Sequence, residues 1–173
     1  MVMRVLAVAL LALFALATPA SATPSGTFEP YSPDAKAVTY DQVKVPVGSR
    51  ATAIRFSTGR GTAVLLLVHG LLPNRHYGAH VHVKPCGPLP ADAGPHFQNV
   101  PDPVQPSLDP AYANPRNEVW LDFTTDARGS AVAVSVNQWR FGGRPAKSLI
   151  IHDHHTHSDG TAGPRLGCLN KEF

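Results

Sequence analysis

Short runs of apolar residues separated by turn residues make up most of the chain after residue 36. Residues 51–58 alternate between small or polar side chains and bulkier ones, as an extended strand with one buried face does. The Gly-Arg-Gly sequence at 59–61 then predicts a turn, and residues 62–69 form a second, more apolar run. These two runs predict consecutive β-strands.

The rest of the chain continues the same pattern and shows no long segment with helical periodicity and capping residues. Further strands are predicted at residues 76–83, 119–125, 131–141 and 148–153. Between residues 86 and 117 the chain has eight prolines and no convincing strand, and a loop of this length is usually functional. We therefore predict an all-β fold, a Greek-key barrel or sandwich of about eight antiparallel strands with long loops.

The first 22 residues have the pattern of a secretory signal peptide. A basic start precedes an apolar run of 13 residues, and Ala-Ser-Ala at 20–22 matches an A-x-A cleavage site. That run is too short to cross a bilayer, and no cysteine follows the cleavage site. We expect a secreted protein without a membrane anchor, in the extracellular or cell-envelope space. Residues 23–35, rich in Pro and Ser, predict a flexible lead-in, and residues 36–173 predict one Greek-key domain.

Charge and cysteine content narrow the possible functions. Without Arg4 the chain keeps 14 basic and 12 acidic side chains, a formal charge of +2, and no basic run is interleaved with aromatics. This balance argues against a nucleic-acid partner. The two cysteines, Cys86 and Cys168, predict one disulfide, because thiols are oxidised outside the cytosol. Two separate reactive thiols are the alternative.

A pair of histidines, His80 and His82, flanks Val81 inside an apolar run. On an extended strand both imidazoles point to the same face, so they could bind one metal ion. Paired histidines also occur on solvated strand faces, and the pattern alone is weak evidence. A metal role becomes more credible because the chain also contains other residues suited to a metal site or its surroundings. These are Cys86, His96, His152, Arg165 and Cys168.

Five segments of the chain resemble motifs of the copper-zinc superoxide dismutases and occur in the order of that family. They are Gly-Ala-His-Val-His at 78–82, Gly-Pro-His-Phe at 94–97, Thr-Asp-Ala-Arg-Gly at 125–129, Leu-Ile-Ile-His at 149–152 and Ala-Gly-Pro-Arg-Leu-Gly-Cys at 162–168. The resemblance covers most of residues 38–168. It implies an eight-stranded Greek-key barrel with a metal site on its outer wall.

The resemblance also implies roles for individual residues. Copper would be bound by four histidines, His80, His82, His96 and His152. His96 stands at the position of the family's bridging imidazole, and Arg165 at that of the arginine that guides the superoxide anion to the metal. Cys86 and Cys168 stand at the positions of the intrachain disulfide.

The implied function is copper-dependent dismutation of superoxide to oxygen and hydrogen peroxide. Imidazole nitrogens suit copper, and Cu(II) in particular. A guanidinium such as that of Arg165 stays charged at any working pH and attracts a small anion. A non-catalytic copper-binding or copper-carrying module on the same fold is the alternative, although such a module has no need of an anion-guiding cation.

Two departures from the family pattern point to a copper-only branch. No histidine lies between Phe97 and Ile151, where the family has zinc ligands, so we expect the zinc site to be missing. The remaining carboxylates are Asp102, Asp109, Glu118 and Asp122. Glu118 is the candidate partner for the second nitrogen of His96. His152 and Arg165 are also only 13 residues apart, so the loop between them is short. The shortened loops give no reason to expect the family's dimer, and we expect a monomer.

The other histidines have simpler interpretations. His69 ends an apolar run and is expected to be a core or edge residue with a backbone partner, and His76 is expected to be solvated. His154, His155 and His157 follow His152 closely, and they fit a polar loop. The alternative hypothesis is that these three capture copper or bind a second metal at the rim of the site.

Overall fold

The protein is described by a computed structural model that covers residues 25–57 and 59–173. This part of the chain forms nine β-strands and one 3-10 helix at Pro90–Ala93. The strands are β1 (Ser25–Glu29), β2 (Ala37–Thr39), β3 (Arg50–Ser57), β4 (Thr62–His69), β5 (His76–His82), β6 (Phe123–Thr124), β7 (Ala131–Asn137), β8 (Ser148–His152) and β9 (Arg165–Asn170). No helix in these ranges has the length and apolar character needed to cross a membrane. The predicted signal peptide at residues 1–22 lies outside them.

The nine strands form one sheet that nearly closes into a barrel. Their order is β6-β5-β8-β9-β2-β1-β3-β4-β7, and the two end strands, β6 and β7, contact each other. The β4–β7 and β5–β8 pairs join strands that are distant in sequence, as Greek-key connections do. The predicted all-β barrel is therefore confirmed.

The N-terminal strands differ from the prediction. β1 lies within the segment predicted to be a flexible lead-in, and it pairs parallel to β2, whereas every other pair is antiparallel. β1 also pairs with β3, and β2 pairs with β9. The two short strands therefore connect β3 on one side of the barrel to β9 on the other. Gly26 makes it possible, because a Cβ there would lie 2.7 Å from that of Ala37. From the sequence this glycine indicates flexibility, whereas in the structure it is required by the close packing of β1 against β2.

Strand β9 was also missed, because its sequence shows no clear alternation. Its Gly167 lies against the ring of Phe28, where an added Cβ would approach to 2.9 Å. Phe28 is fully buried and belongs to the main hydrophobic core together with Leu66, Tyr77 and Leu149. The absent side chain of a glycine therefore makes room for one of the largest core residues.

Strands β5 and β8 are buried on both faces. Tyr77, Ala79 and Val81 of β5 point into the barrel core. His80 and His82, which alternate with them along the strand, are equally buried on the opposite face. The loops after β5 and β8 cover this outer face. The predicted alternation along β5 thus places two histidines outside the barrel wall and beneath a layer of loops.

Candidate metal centre

The four histidines named from the sequence come together on the outer face of β5 and β8. In the ladder between these strands His80 lies opposite Ile150, and His152 lies opposite Gly78. His96 reaches the same place through a bridge to His82. One nitrogen from each of the four rings lies within 4.8 Å of every other, close enough to share one ion. Within 25–57 and 59–173 no other set of three or more His, Cys, Asp or Glu side chains is grouped in this way.

Three of these histidines are deeply buried and one reaches the surface. His80 and His82 are 0% exposed and His152 is 4% exposed, whereas 19% of the His96 side chain is exposed. Burial lowers the pKa of His80 and of His82 well below the usual value. Burial, together with repulsion from His96, lowers the pKa of His152 to about 3. These three rings are therefore neutral at pH 7, the state in which an imidazole can bind a metal.

His80 is held in the tautomer that a metal ligand requires. Its Nε2 lies 2.8 Å from the hydroxyl of Thr156, which itself donates to Oδ1 of Asp122 over 2.6 Å. Since the single hydroxyl proton goes to Asp122, Nε2 of His80 is the donor in its own contact. The lone pair is therefore on Nδ1, which is buried without a hydrogen-bond partner. A metal ion in the histidine group would satisfy this acceptor.

His82 and His152 show the same arrangement through backbone carbonyls. Nδ1 of His82 donates to the carbonyl of Gly94 over 2.9 Å, and Nδ1 of His152 donates to that of Gly163 over 3.2 Å. Their Nε2 atoms consequently both carry lone pairs, and they face each other at 3.4 Å. Two facing acceptors without a proton between them repel, so a cation between them would be stabilising. The residues present thus fit a metal ion bound through nitrogen.

The two glycines that supply these carbonyls have backbone conformations that favour glycine. Gly94 has a φ of 72° and Gly163 a φ of 74°. A Cβ on Gly94 would lie 2.9 Å from Val83, and one on Gly163 would lie 2.7 Å from His154. A side chain at either position would be strained and would displace the carbonyl that orients a histidine.

His96 is oriented by a buried carboxylate. Its Nδ1 lies 2.9 Å from Oε2 of Glu118, which is 1% exposed. Glu118 accepts two further hydrogen bonds, from Nε2 of Gln98 over 2.8 Å and from Nε1 of Trp120 over 2.7 Å. The structure thus brings the carboxylate expected from the sequence to the outer nitrogen of His96, and the inner nitrogen faces the other three rings.

Arg165 lies beside the histidine group and opposite His152 in the ladder between β8 and β9. Its guanidinium donates to the carbonyls of Pro90 over 2.9 Å and of Gly94 over 2.8 Å. Burial lowers its pKa, but a guanidinium remains cationic at neutral pH. Arg165, His96 and His152 line one cleft of about 330 Å³.

The predicted disulfide between Cys86 and Cys168 is present. It ties β9 to the segment after β5 that carries the Pro90 and Gly94 carbonyls. The backbone N–H of Cys86 also donates to the Asn170 side chain over 2.9 Å. The covalent link therefore fixes Arg165 and its two acceptors relative to each other.

Several residues have roles that the sequence did not reveal. Asp122 accepts hydrogen bonds from the hydroxyl and the backbone N–H of Thr156, and no sequence pattern marks either residue. His69 is exposed and bonds to the Ser130 hydroxyl, so the expected backbone partner is wrong. Asp102 is buried but binds the Ser107 hydroxyl, away from the histidines.

Comparison with known proteins shows similarity in structure but not in sequence. No protein-family model matches the chain, and no curated protein is similar to it in sequence. A point mutant of a SOD-like protein from Bacillus subtilis matches with a TM-score of 0.54 at 16% identity, over 78% of this chain and 94% of that one. The Cu/Zn superoxide dismutase from Brucella abortus matches with a TM-score of 0.51 at 18% identity, over 69% and 86%. The chain therefore has the fold of the Cu/Zn superoxide dismutases and SOD-like proteins.

Proposed function

We propose that the protein is a copper-dependent superoxide dismutase that works without zinc. The observation that carries this proposal is the hydrogen bonding of the four histidines. Each ring has one nitrogen fixed by an acceptor on the protein, and its other nitrogen faces a common centre. Metal-binding histidines are oriented in this way by their outer partners.

The donor set favours copper among the common metals. All four candidate ligands are imidazoles, and neither a thiolate nor a carboxylate belongs to the group. Imidazole ligands bind Cu(II) more tightly than the other divalent first-row ions. Copper bound there would supply one-electron chemistry, in which one superoxide is oxidised to oxygen and the next is reduced to hydrogen peroxide. The match to the Brucella enzyme, named as Cu/Zn superoxide dismutase, supports this choice.

Arg165 is proposed to attract and orient the superoxide anion. Its guanidinium lines the same cleft as His96 and His152, so an anion drawn to it arrives beside the histidine group. The two carbonyl acceptors hold the guanidinium in place, and among residues 25–57 and 59–173 no carboxylate forms an ion pair with it. A fixed cation in a narrow cleft raises the local concentration of a small anion.

His96 is proposed to deliver protons. Two superoxide anions and two protons yield one oxygen and one hydrogen peroxide, so the reduction needs a proton source. His96 is the member of the histidine group with an exposed side-chain surface, and it lines the cleft. Glu118 holds Nδ1 of this ring, and any proton that His96 gives to peroxide therefore leaves from Nε2.

Three further features of the sequence interpretation remain part of this proposal. Glu118 occupies the His96 nitrogen that a second metal ion would need, which supports a site with copper alone. The disulfide supports an oxidising, extracellular location, as the predicted signal peptide at residues 1–22 requires. We propose that the protein acts as a secreted monomer.

A non-catalytic copper carrier on this fold is the second candidate. The burial of three of the four histidines favours a module that binds and stores copper, because a deeply held ion is slow to leave. Arg165 argues against it, since a carrier gains nothing from a cation beside its metal. The two functions differ in whether the loaded protein accelerates superoxide decay.

The proposal is tested by the decay of superoxide after rapid mixing with copper-loaded protein, in the presence of a chelator that removes free copper. We expect the wild-type protein to accelerate decay and His152→Ala to abolish the effect. His69→Ala, a change of an exposed histidine that lines a different depression, should leave the rate unchanged. A wild-type rate no higher than that of the chelated copper blank would favour the carrier.

A further inference from the structure

A second group of histidines lies on the surface, separate from the buried four. His76 at the start of β5 and three residues after β8, His154, His155 and His157, together line one depression of about 490 Å³. All four side chains are exposed. We propose that these four residues form a second metal site, which takes one divalent transition-metal ion and holds Cu(II) most tightly.

The spacing of His76 and His155 is that of rings sharing an ion. Their centroids are 4.6 Å apart and their planes meet at 70°. Among the four buried histidines the corresponding distances run from 4.0 to 5.7 Å. The surface pair falls inside the range of the candidate metal centre.

Both rings of this pair are oriented by strand β6. Nε2 of His155 donates to the carbonyl of Phe123 over 2.9 Å, which leaves the Nδ1 lone pair available. Nδ1 of His76 lies 2.8 Å from the hydroxyl of Thr124, which leaves Nε2 for a ligand. One nitrogen fixed and the other open is the arrangement of metal-binding histidines, and the four buried rings show it too.

As they stand, only His76 and His155 have their rings close together, and His154 and His157 would join them by rotating their side chains. The backbone that carries them is pinned, because the N–H of His154 donates to the Ala162 carbonyl over 3.0 Å and that of His157 to the Thr161 carbonyl over 2.8 Å. The side chain of His154 is 57% exposed and its Nε2 lies 3.5 Å from Oδ2 of Asp153, so turning toward His155 exchanges that contact for the metal ion without moving the loop. Three or four imidazoles on a pinned loop and a strand suit Cu(II) first and Zn(II) second.

The surface site is linked to the buried centre by Thr156. This residue lies between His155 and His157, and its hydroxyl orients His80. In addition, His76 and His80 lie on the same face of β5, four residues and about 13 Å apart. An ion held at the surface would thus stabilise the loop that carries Thr156 and so positions His80. Copper captured there would also lie next to the buried histidine group.

This inference concerns binding alone and stands whether or not the protein dismutates superoxide. The test is a calorimetric titration of untagged, metal-free protein with Cu(II), and separately with Zn(II). We expect two Cu(II) ions for wild type and one for His154→Ala/His155→Ala/His157→Ala. The matched control, His69→Ala, removes an exposed histidine that bonds to Ser130 elsewhere and should still take two.

A complementary titration removes the buried centre and keeps the surface site. His80→Ala/His152→Ala should retain one Cu(II), and electron paramagnetic resonance should show nitrogen ligands for it. Should that variant fail to fold, wild type preloaded with one Cu(II) and titrated with Zn(II) gives the same information, with one further ion expected. A triple histidine variant that binds as many ions as wild type would overturn the proposal, as would equal loss of an ion in His69→Ala.

Discussion

Nδ1 of His96 donates a hydrogen bond to Oε2 of Glu118 over 2.9 Å, and the carboxylate is buried. The ring is thereby oriented through the nitrogen that points away from the other three histidines. Gln98 and Trp120 also donate to Glu118, so its charge is compensated by three hydrogen bonds. Under the proposed copper-only function, Glu118 takes the place of a second metal ion at this nitrogen.

Replacing Glu118 by Gln should weaken copper binding by about 10- to 100-fold, because a neutral amide oxygen is a poorer acceptor for the His96 N–H. Competition with a chelator of known affinity measures the change. Glu29→Gln, the same substitution at an exposed position of β1, is the matched control and should bind copper like wild type. Equal affinities for Glu118→Gln and Glu29→Gln would show that the carboxylate does not support the site.

Thr156→Val should lower copper affinity by about 10-fold, because His80 loses the acceptor that keeps its proton on Nε2. Thr161→Val provides the control, since Thr161 bonds to Asp159 in the same loop and contacts none of the four buried histidines through that hydroxyl. The electron paramagnetic resonance spectrum of bound copper should change only for Thr156→Val. Identical spectra and affinities for the two variants would contradict the assigned tautomer.

Arg165→Ala should slow superoxide decay by about 10-fold and flatten its dependence on ionic strength, because the attraction of an anion to a fixed cation is screened by salt. Rates measured over a range of salt concentrations give both quantities. Arg50→Ala removes the same charge far from the cleft and should change neither. A salt dependence that persists in Arg165→Ala would assign the anion attraction to other residues.

The Cys86–Cys168 disulfide closes a loop of 82 residues. On the chain-entropy model its loss lowers the free energy of unfolding by up to about 4.5 kcal/mol. Cys86→Ser/Cys168→Ser should therefore unfold at lower urea concentration, and reduced wild-type protein should behave in the same way. If both unfolded at the same urea concentration as the oxidised protein, the link would contribute nothing to stability.

The metal-free protein should lose stability as the pH falls from about 7.5 to about 5.5. Burial lowers the pKa of His80 and His82 and brings that of His152 to about 3. A histidine whose pKa is lowered in the folded chain makes its full contribution to stability at pH values above its unfolded pKa of about 6.5. As the pH falls from that value toward the folded pKa, the contribution is lost.

Each such histidine lowers the free energy of unfolding by about 1.4 kcal/mol for every pH unit below its unfolded pKa. Urea unfolding at the two pH values measures the difference in the free energy of unfolding. His152→Asn should make this difference smaller by the contribution of one histidine. Equal stability of the wild-type protein at both pH values would show that these rings are not held neutral.

Strand alternation accounts for what could be predicted from the sequence. Side chains alternate along a strand with a period of two residues, so His80 and His82 share one face whatever surrounds them. The apolar run before His152 indicates the end of a buried strand. The fold class follows from the same pattern. The disulfide followed from a simple count, because two cysteines in a chain predicted to be exported have one possible pairing within it.

Contacts between distant loops could not be predicted in the same way. Thr156 and Asp122 meet only because the loop after β8 folds over the segment before β6, and neither residue belongs to a periodic pattern. β1 and β9 were missed because Gly26 and Gly167 serve close packing, whereas glycine in a sequence usually indicates a turn. These features depend on tertiary packing that local sequence does not record.

The most direct test of the central claim is the superoxide decay rate measured as copper is added stepwise to metal-free, untagged protein with a competing chelator present. We expect the rate to rise linearly until one copper per chain fills the group of His80, His82, His96 and His152 and then to stay constant, and His82→Ala/His152→Ala to show no rise. A copper-loaded wild-type protein that never exceeds the rate of the chelator blank would contradict it.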